Sequence, residues 1–531
     1  MRSKQMHVAA ATVLTFFVGP ALFGQTSSQI FFGHDHRLHY AKDDRGNRIM
    51  DFSFAGYEGS GVELPHVRDP ILVNPRGGDD TAAIQAAINQ VSLLPADQQG
   101  FRGAVQLASG IFSVSSTLKI ATSGVVLRGR GTNADGTIIN MTGAPFLLLN
   151  ITGSGNPQTV GSPASITDSY VASGTRSLHV DHVADFAPGD PVLIIRPVTE
   201  AWVHFMGMDT LVRSGVPQTW ISPGSSITTD RTIAAVDVDN NRITLDVPLT
   251  DSIDSQYLSP PGASIAKYTF PGRIEKVAAE GFSVIAHPQN VDITQPQFSG
   301  LSMSAVLNAW MRDLEFQDTQ NTITISNTVK KMTLDNVRVT HTVPHTGDGP
   351  ADFALSGTQL LANKCSVTGK GNTWPAVTQS RVTGPVVLLN FFGDDRGFDP
   401  HQRWATGLLC DNCNFPNSHE EDKSGIAYSD RGILGSGQGW DAGWSVAWNV
   451  HSTYFLVQRP PGAQNFCIGC VGTILTEAEP GSSTPLANGL YDSFGTPVTP
   501  SSLYLEQLCE RLGPRAVANI GYPDNCKSSK D

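Results

Sequence analysis

Two hydrophobic periods divide this chain. Over GGDDTAAIQAAINQV, apolar Ala82, Ile84, Ala87 and Ile88 recur at roughly helical spacing behind Asp79 and Asp80, either of which can cap a helix start. The pattern predicts one amphipathic helix. Beyond it, GAVQLASGIFSVSSTLKIATSGVVLRGRG gives short β-rich runs punctuated by Gly110, Gly124 and Gly129, too short for ordinary helices. Between Ser162 and Tyr268 the runs lengthen. SLHVDHVADFAPGDPVLII and RTIAAVDVDNNRITLDVPL read as hairpin material, the second turning at Asn240 and Asn241, so an inserted, mainly β subdomain is expected over 162–268.

From Arg273 the short runs return as a repeat. If MRDLEF, LDNVRV, NKCSV, DNCNF, WNVHS and IGCVG occupy equivalent strands, then Leu314, Val337, Cys365, Cys413, Val450 and Cys470 share one column, and VVLLN contributes Leu389 to the longest gap. Most steps then fall near the ~20 to 30 residues of one solenoid coil with variable loops. The column places three cysteines in an inward ladder. Residues three apart on a strand face opposite sides, so the pairs Cys410/Cys413 and Cys467/Cys470 read as buried small side chains or one cross-rung disulfide, not a zinc site. Cys509 and Cys526 flank a short tail and are placed to staple it. After Thr473 the chain is rich in Pro, Gly and Ser to Pro500, and SSLYLEQLCERL then reads as a short helix in a C-terminal cover. The expected divisions are a leader at 1–25, an N-terminal segment with the helix and first coils at 26–161, the insertion, the main coils at 269–475 and the cover at 476–531.

Composition allows a sizeable core: 531 residues, 40% hydrophobic and 16% charged. A net charge of −12 argues against a general nucleic-acid binder but leaves room for a local basic cleft that holds an anionic sugar. Arg2 and Lys4 followed by an apolar run from Val8 to Leu22, interrupted at Pro20, read as a secretory signal. That run is shorter than the ~18 uninterrupted apolar residues of a spanning helix. A secreted or periplasmic monomer without stable membrane insertion is expected.

The succession DDTAAIQAAI, GAVQLASGIFSVSSTLKI and GVVLRGRG resembles the N-terminal cap and first coils of the pectate-lyase-like superfamily. The resemblance implies an all-β, single-stranded, right-handed parallel β-helix with a capping helix. That superfamily contains polysaccharide lyases, glycoside hydrolases and phage tailspikes, so it implies a carbohydrate partner more than one reaction. VTQSRVTGP, DPHQRWATGLLCDNC, GSGQGWDAGWSVAWN and QRPPGAQNFCIGCVG are similar to a bacterial branch of its secreted members.

Candidate chemistry centres on GDDRGFDPHQRWATGLLCDNCNF. Asp394, Asp395 and Asp399 can hold Ca²⁺ or divide as general acid and base, although GDD and FDP are also common turns. His401 and Arg403 alternate and so can project together. An arginine neutralises a uronate carboxylate, and a histidine can take the neighbouring proton. Arg381 joins them if the coils stack in register. An ion pair with the nearby aspartates is the plainer role for both. In GILGSGQGWDAGWSVAWNVH, glycines allow close backbone approach, Gln438 and Asp441 offer polar contacts, and Trp440, Trp444 and the earlier Trp404 offer faces for sugar rings. His345 is a further contact candidate, and Trp202, His204, Arg213 and Trp220 in the insertion either stack on sugars or pack its core. Beside the polygalacturonase-type hydrolases of the superfamily, Asp394 and Asp395 can serve as the DD pair, but no NTD motif is present and Gln438 stands where a GHG turn has histidine. Calcium pectate lyases pair a basic catalytic residue with an acidic metal site, an arrangement Arg403 or Arg381 and the aspartates can imitate. The expected function is cleavage of a uronic-acid polysaccharide by β-elimination, with Ca²⁺ as the one cofactor envisaged. The alternatives are a glycoside hydrolase using an aspartate pair and a non-catalytic carbohydrate-binding β-helix.

Overall fold

The computed structural model describes residues 25–346, 349–370, 373–421, 423–478 and 480–524. The expected leader, save Gln25, and Cys526 lie outside the described residues. No helix among them is long and apolar enough to cross a membrane.

Strands of the main body pair in parallel with strands one coil away, forming a β-helix of three faces. Three strands, Ile274–Ile285, Val306–Gln317 and Lys330–His341, run through the first and second faces without a break. The third face begins at Leu118–Ile120 and continues through Leu147–Thr152, Ser299–Ser304, Ile323–Ile325, Ala351–Leu355 and Trp374–Val377. The Thr81–Ser92 helix packs Ile84, Ala87, Ile88 and Val91 against the first coils. Asp80 sits at its N-cap, but its carboxylate accepts the amides of Arg76 and Ser113, tying the helix to the coil beneath.

One residue of positive φ per coil turns the chain from the first face to the second: Gly281, Asp313, Asn336, Lys364, Asn390, Asn412, Asn449 and Gly469. A left-handed residue resets the two-residue alternation, so side chains on both sides of the corner point inward. This corrects the reading of the cysteine pairs. Cys410 and Cys413 flank Asn412, Cys467 and Cys470 flank Gly469, and all four are buried in one core as free thiols. The Sγ of Cys413 donates to Leu388 O at 3.4 Å and that of Cys470 to Ala447 O at 3.6 Å. Cys509, by contrast, is disulfide-bonded.

The register shows which residues share the ladder. Leu314 lies opposite Val337, Arg338 opposite Ser366, Ser366 opposite Phe392, and His451 opposite both Asn414 and Val471. The column therefore runs Leu314, Val337, Cys365, Phe391, Cys413, Val450, Cys470. Leu389 belongs to the first face, opposite Asn363 and Asp411, and Phe391 takes the place expected for it.

The first face is buried on both sides. Leu360, Val386, Leu388 and Leu408 point into the coil, whereas Leu361, Val387, Leu389 and Leu409 point outward beneath the insertion, the N-terminal segment and the Leu503–Leu512 helix. At roughly 1.5–3 kcal/mol per buried aliphatic side chain, this second layer holds the covering elements in place.

Asp411, fully buried on that outer side, accepts the Ser502 hydroxyl at 2.7 Å and the Tyr504 amide at 2.8 Å, anchoring the C-terminal helix. Burial pushes its carboxyl up to about 7. The folded chain thus binds more protons than the unfolded one between about pH 4 and 7, and the associated stability is lost as pH rises through 7. Asp411→Asn should therefore gain on the parent between pH 5 and pH 8, by about 2–3 kcal/mol in urea unfolding. An amide nitrogen would replace Oδ1, which has no partner among the described residues.

The insertion leaves the solenoid after Thr152 and returns at Ile274. Its six-stranded antiparallel sheet spans Gln158–Thr269, and Asn241 has positive φ at the Asp237–Arg242 hairpin end. Arg231, fully buried, donates to Gly384 O at 3.0 Å and Pro248 O at 3.1 Å, clamping this sheet onto the coils.

Candidate functional site

The chain leaves the insertion along the corner where each coil passes from the third face back to the first. The same corner, four to six coils later, carries Arg381, then Asp399, His401 and Arg403, then Arg431, Gln438 and Asp441. Backbone bonds stitch these turns in register: Arg381 N–H donates to Arg403 O at 2.8 Å, and Arg403 N–H to Gln438 O at 3.0 Å. Arg381, Arg403 and Trp404 all have positive φ, at 59°, 53° and 66°. Such conformations cost non-glycine residues about 1–2 kcal/mol each and persist only where surrounding contacts enforce them.

The two arginines have neutral partners. The Arg403 guanidinium donates to Ser436 O at 3.0 Å, Ser436 Oγ at 2.6 Å and Gln402 Oε1 at 2.5 Å. Arg381 is exposed and reaches Ser226 O of the insertion at 3.5 Å. Among the described residues neither has a carboxylate partner, so the ion pair with nearby aspartates is not formed. Burial, and then the Arg381 charge, draws Arg403 below the usual arginine value.

Beside them runs a relay. Arg431 pairs with Asp399 through Nη1 and donates from Nε to Gln438 Oε1 at 2.8 Å. That contact fixes the Gln438 amide, because its oxygen must face Arg431 and its NH₂ must face His401 Nε2, 3.1 Å away. His401 Nε2 is therefore an acceptor and the ring is neutral. Burial, then Arg431, then Arg403 hold its imidazolium form below the ordinary 6.5, against the opposing pull of Asp399. Arg431 was not singled out from sequence. SDRGILG looks like loop chemistry, and only the fold brings it beneath His401.

Several expected contacts lie elsewhere. Asp394 and Asp395 occupy the corner between the second and third faces, across the third face from His401. Asp394 accepts Asn417 Nδ2 at 3.0 Å and Asp395 pairs with His419 Nε2 at 2.5 Å. Asp399 is separated from them and engaged by Arg431. Among the described residues no three His, Cys, Asp or Glu side chains converge to hold a metal ion. Asp394, Asp395 and Asp399 thus do not fit the Ca²⁺ site expected of them. His345 is buried near the second-to-third corner, donating from Nε2 to Val291 O at 2.7 Å, far around the coil from Arg403. Asp441 is fully buried, held by the Ser429 amide at 2.8 Å, and burial and then Asp399 push its carboxyl well up, so it presents nothing to a substrate.

The tryptophans are packing residues. Trp404, Trp440 and Trp444 are buried, as are Trp202 and Trp220. Trp404 Nε1 donates to Asp251 Oδ2 at 2.7 Å and Trp444 Nε1 to Asp251 Oδ1 at 3.1 Å, with Trp202 and Trp220 edge-on to Trp404. The glycines serve the same contact. A Cβ at Gly439 would meet Met208 and Trp220 at 2.5 Å, so this loop hugs the insertion and not a ligand. His204 is exposed and pairs with Asp209, while Arg213 reaches Gly435 O.

No family model and no curated protein matches the sequence. Among solved structures, the chain is similar to a tailspike protein of E. coli bacteriophage HK620 in complex with a pentasaccharide, at 10% identity and TM-score 0.39, over 86% of this chain and 63% of that one. It is similar to PfbA, a surface adhesin of Streptococcus pneumoniae, at 10% identity and TM-score 0.35, over 82% and 80%. It is also similar to the A-module of the Azotobacter vinelandii mannuronan C-5 epimerase AlgE4, at 10% identity and TM-score 0.28, over 78% and 75%.

Proposed function

We propose that this chain is an exported, carbohydrate-active β-helix of pectate-lyase-like type that cleaves a uronic-acid polysaccharide by β-elimination. The observation that supports it most is the corner where Arg381 and Arg403, on successive coils and with no carboxylate partner among the described residues, stand beside a neutral His401. Arg403 takes the uronate carboxylate in a fork and stabilises the negative charge that develops when the C5 proton leaves. His401 Nε2 receives that proton, which requires the Gln438 amide to move off it as the sugar enters. The C5–H electron pair forms the C4–C5 double bond, and the C4–O bond breaks with its electrons to the leaving sugar, giving an unsaturated uronate. Asp399 and Arg431 position Gln438 and thereby the imidazole. No step runs through a metal. Hydrolysis is less well supported, because Asp399 is locked by Arg431 and Asp441 is sealed in the core. A panel of acidic and neutral polysaccharides, followed both by ultraviolet absorbance and by reducing ends, tests the reading. Reducing ends without absorbance would replace elimination by hydrolysis, and binding without either product would leave a carbohydrate-binding protein.

The pH profile gives a second test. A base works when unprotonated, so kcat/KM should stay level as pH falls from about 8 through 6.5 and decline only below it, since burial and the two arginines hold His401 down. An acid limb at or above 6.5 would remove His401 from that role.

A further inference from the structure

We infer that a second site, for an oxyanion-bearing ligand of sugar size, lies between the N-terminal segment, the insertion and the C-terminal helix. The cavity there is about 730 Å³, within the ~300–1,000 Å³ range of small-ligand sites, and it shares no residue with the His401 corner. Arg37, Lys42, Arg48, Arg176 and Arg511 line it, in a chain whose net charge is −12.

The cavity also holds two acids, Asp51 within electrostatic range of Arg511 and Arg176 and Glu510 within range of Arg37, so the five cations outnumber them. Asp51 Oδ1 accepts the Ser53 amide at 2.9 Å, and Glu510 Oε1 accepts the Leu38 amide at 2.5 Å. Arg511 forms the floor, bonded to Ser53 and Gly59 and lying 4.2 Å over the Phe54 ring. Arg176 donates from Nε to Leu245 O at 2.8 Å, with its guanidinium 5.7 Å from the Phe54 ring centroid, and among the described residues neither its Nη atoms nor the Arg48 side chain has a hydrogen-bond partner. The paired Nη atoms of Arg176 and the Arg48 guanidinium are thus open to hydrogen bonds with a ligand. Forks of this kind match carboxylate or phosphate oxygens in pairs, and Leu38 supplies apolar wall for a sugar ring. All three covering segments contribute lining residues, so the site is complete only when the insertion and both ends of the chain are docked.

The inference does not rest on the cleavage chemistry. Isothermal titration of the full chain carrying Arg403→Ala, to weaken binding at the corner, compares trigalacturonate, inorganic phosphate and neutral maltotriose. The anions should bind and maltotriose should not. Adding Arg48→Ala or Arg176→Ala should weaken anion binding about tenfold or more, and the exposed Lys42→Ala two- to threefold, a readout that survives if an arginine variant fails to fold. Tighter trigalacturonate marks a uronate ligand and tighter phosphate a phosphate ester; either supports the site. No heat with either anion, or affinities unchanged in all three variants, overturns it. Cleavage with no such binding sinks this site alone, and binding without cleavage sinks only the enzymatic reading.

Discussion

Arg403→Ala should lower kcat/KM on an acidic polymer by about a hundred- to a thousandfold while leaving the unfolding midpoint almost unchanged. The size follows from the role: a donor aimed at charge that develops in the transition state typically contributes that much. Stability should hold because the guanidinium is half-buried and its partners, Ser436 and Gln402, can turn to water. Arg403→Lys should recover only part of the loss, since an ammonium keeps the charge without the fork. Arg381→Ala, at an exposed position, should act mainly through KM. The double variant should lose less than the product of the two singles, because both arginines face one carboxylate. Initial-rate absorbance assays decide these points. Wild-type turnover in Arg403→Ala would end the elimination mechanism as drawn.

The coil repeat was legible because it is written in local pattern. Leu314, Val337, Cys365, Cys413, Val450 and Cys470 carry the inward position in their own short runs, and the pairing register aligns them. Leu389 went astray for a definable reason. In VVLLNFF two inward-capable residues, Leu389 and Phe391, flank Asn390, and only the positive φ of that asparagine decides which enters the ladder. The same corner explains the cysteine pairs. Strict alternation sends residues three apart to opposite faces, whereas one left-handed residue between them turns both inward.

The site was legible only within one turn. His401 and Arg403 alternate on a short segment, and Arg381 follows once coils are stacked. Asp394 and Asp395 are closer to His401 in sequence than Gln438 is, yet the third face stands between them. In a solenoid a few residues can cross a whole face, so neighbours in sequence are poorer guides than residues one coil away. Burial was the other hidden quantity. The tryptophans looked like sugar platforms because sequence does not show that the insertion folds back over the first face and covers them.

That covering layer makes the largest stability effect testable at Trp404. It is 2% exposed, its indole donates to Asp251 at 2.7 Å, and its ring meets Trp202 and Trp220 at centroid distances of 6.1 Å. Trp404→Ala removes the ring from both layers at once and should cost about 3–5 kcal/mol. It also takes one donor from the partly buried Asp251, which keeps Trp444 Nε1 at 3.1 Å and Arg196 at 3.7 Å. Trp404→Phe retains most of the packing and isolates the lost hydrogen bond, so it should cost about 1–3 kcal/mol. Urea unfolding gives both numbers, and limited proteolysis should cut the alanine variant first in the insertion, whose anchoring it weakens. A sugar-stacking tryptophan would behave in the opposite way: Trp404→Ala would keep its unfolding midpoint and lose affinity for oligosaccharide.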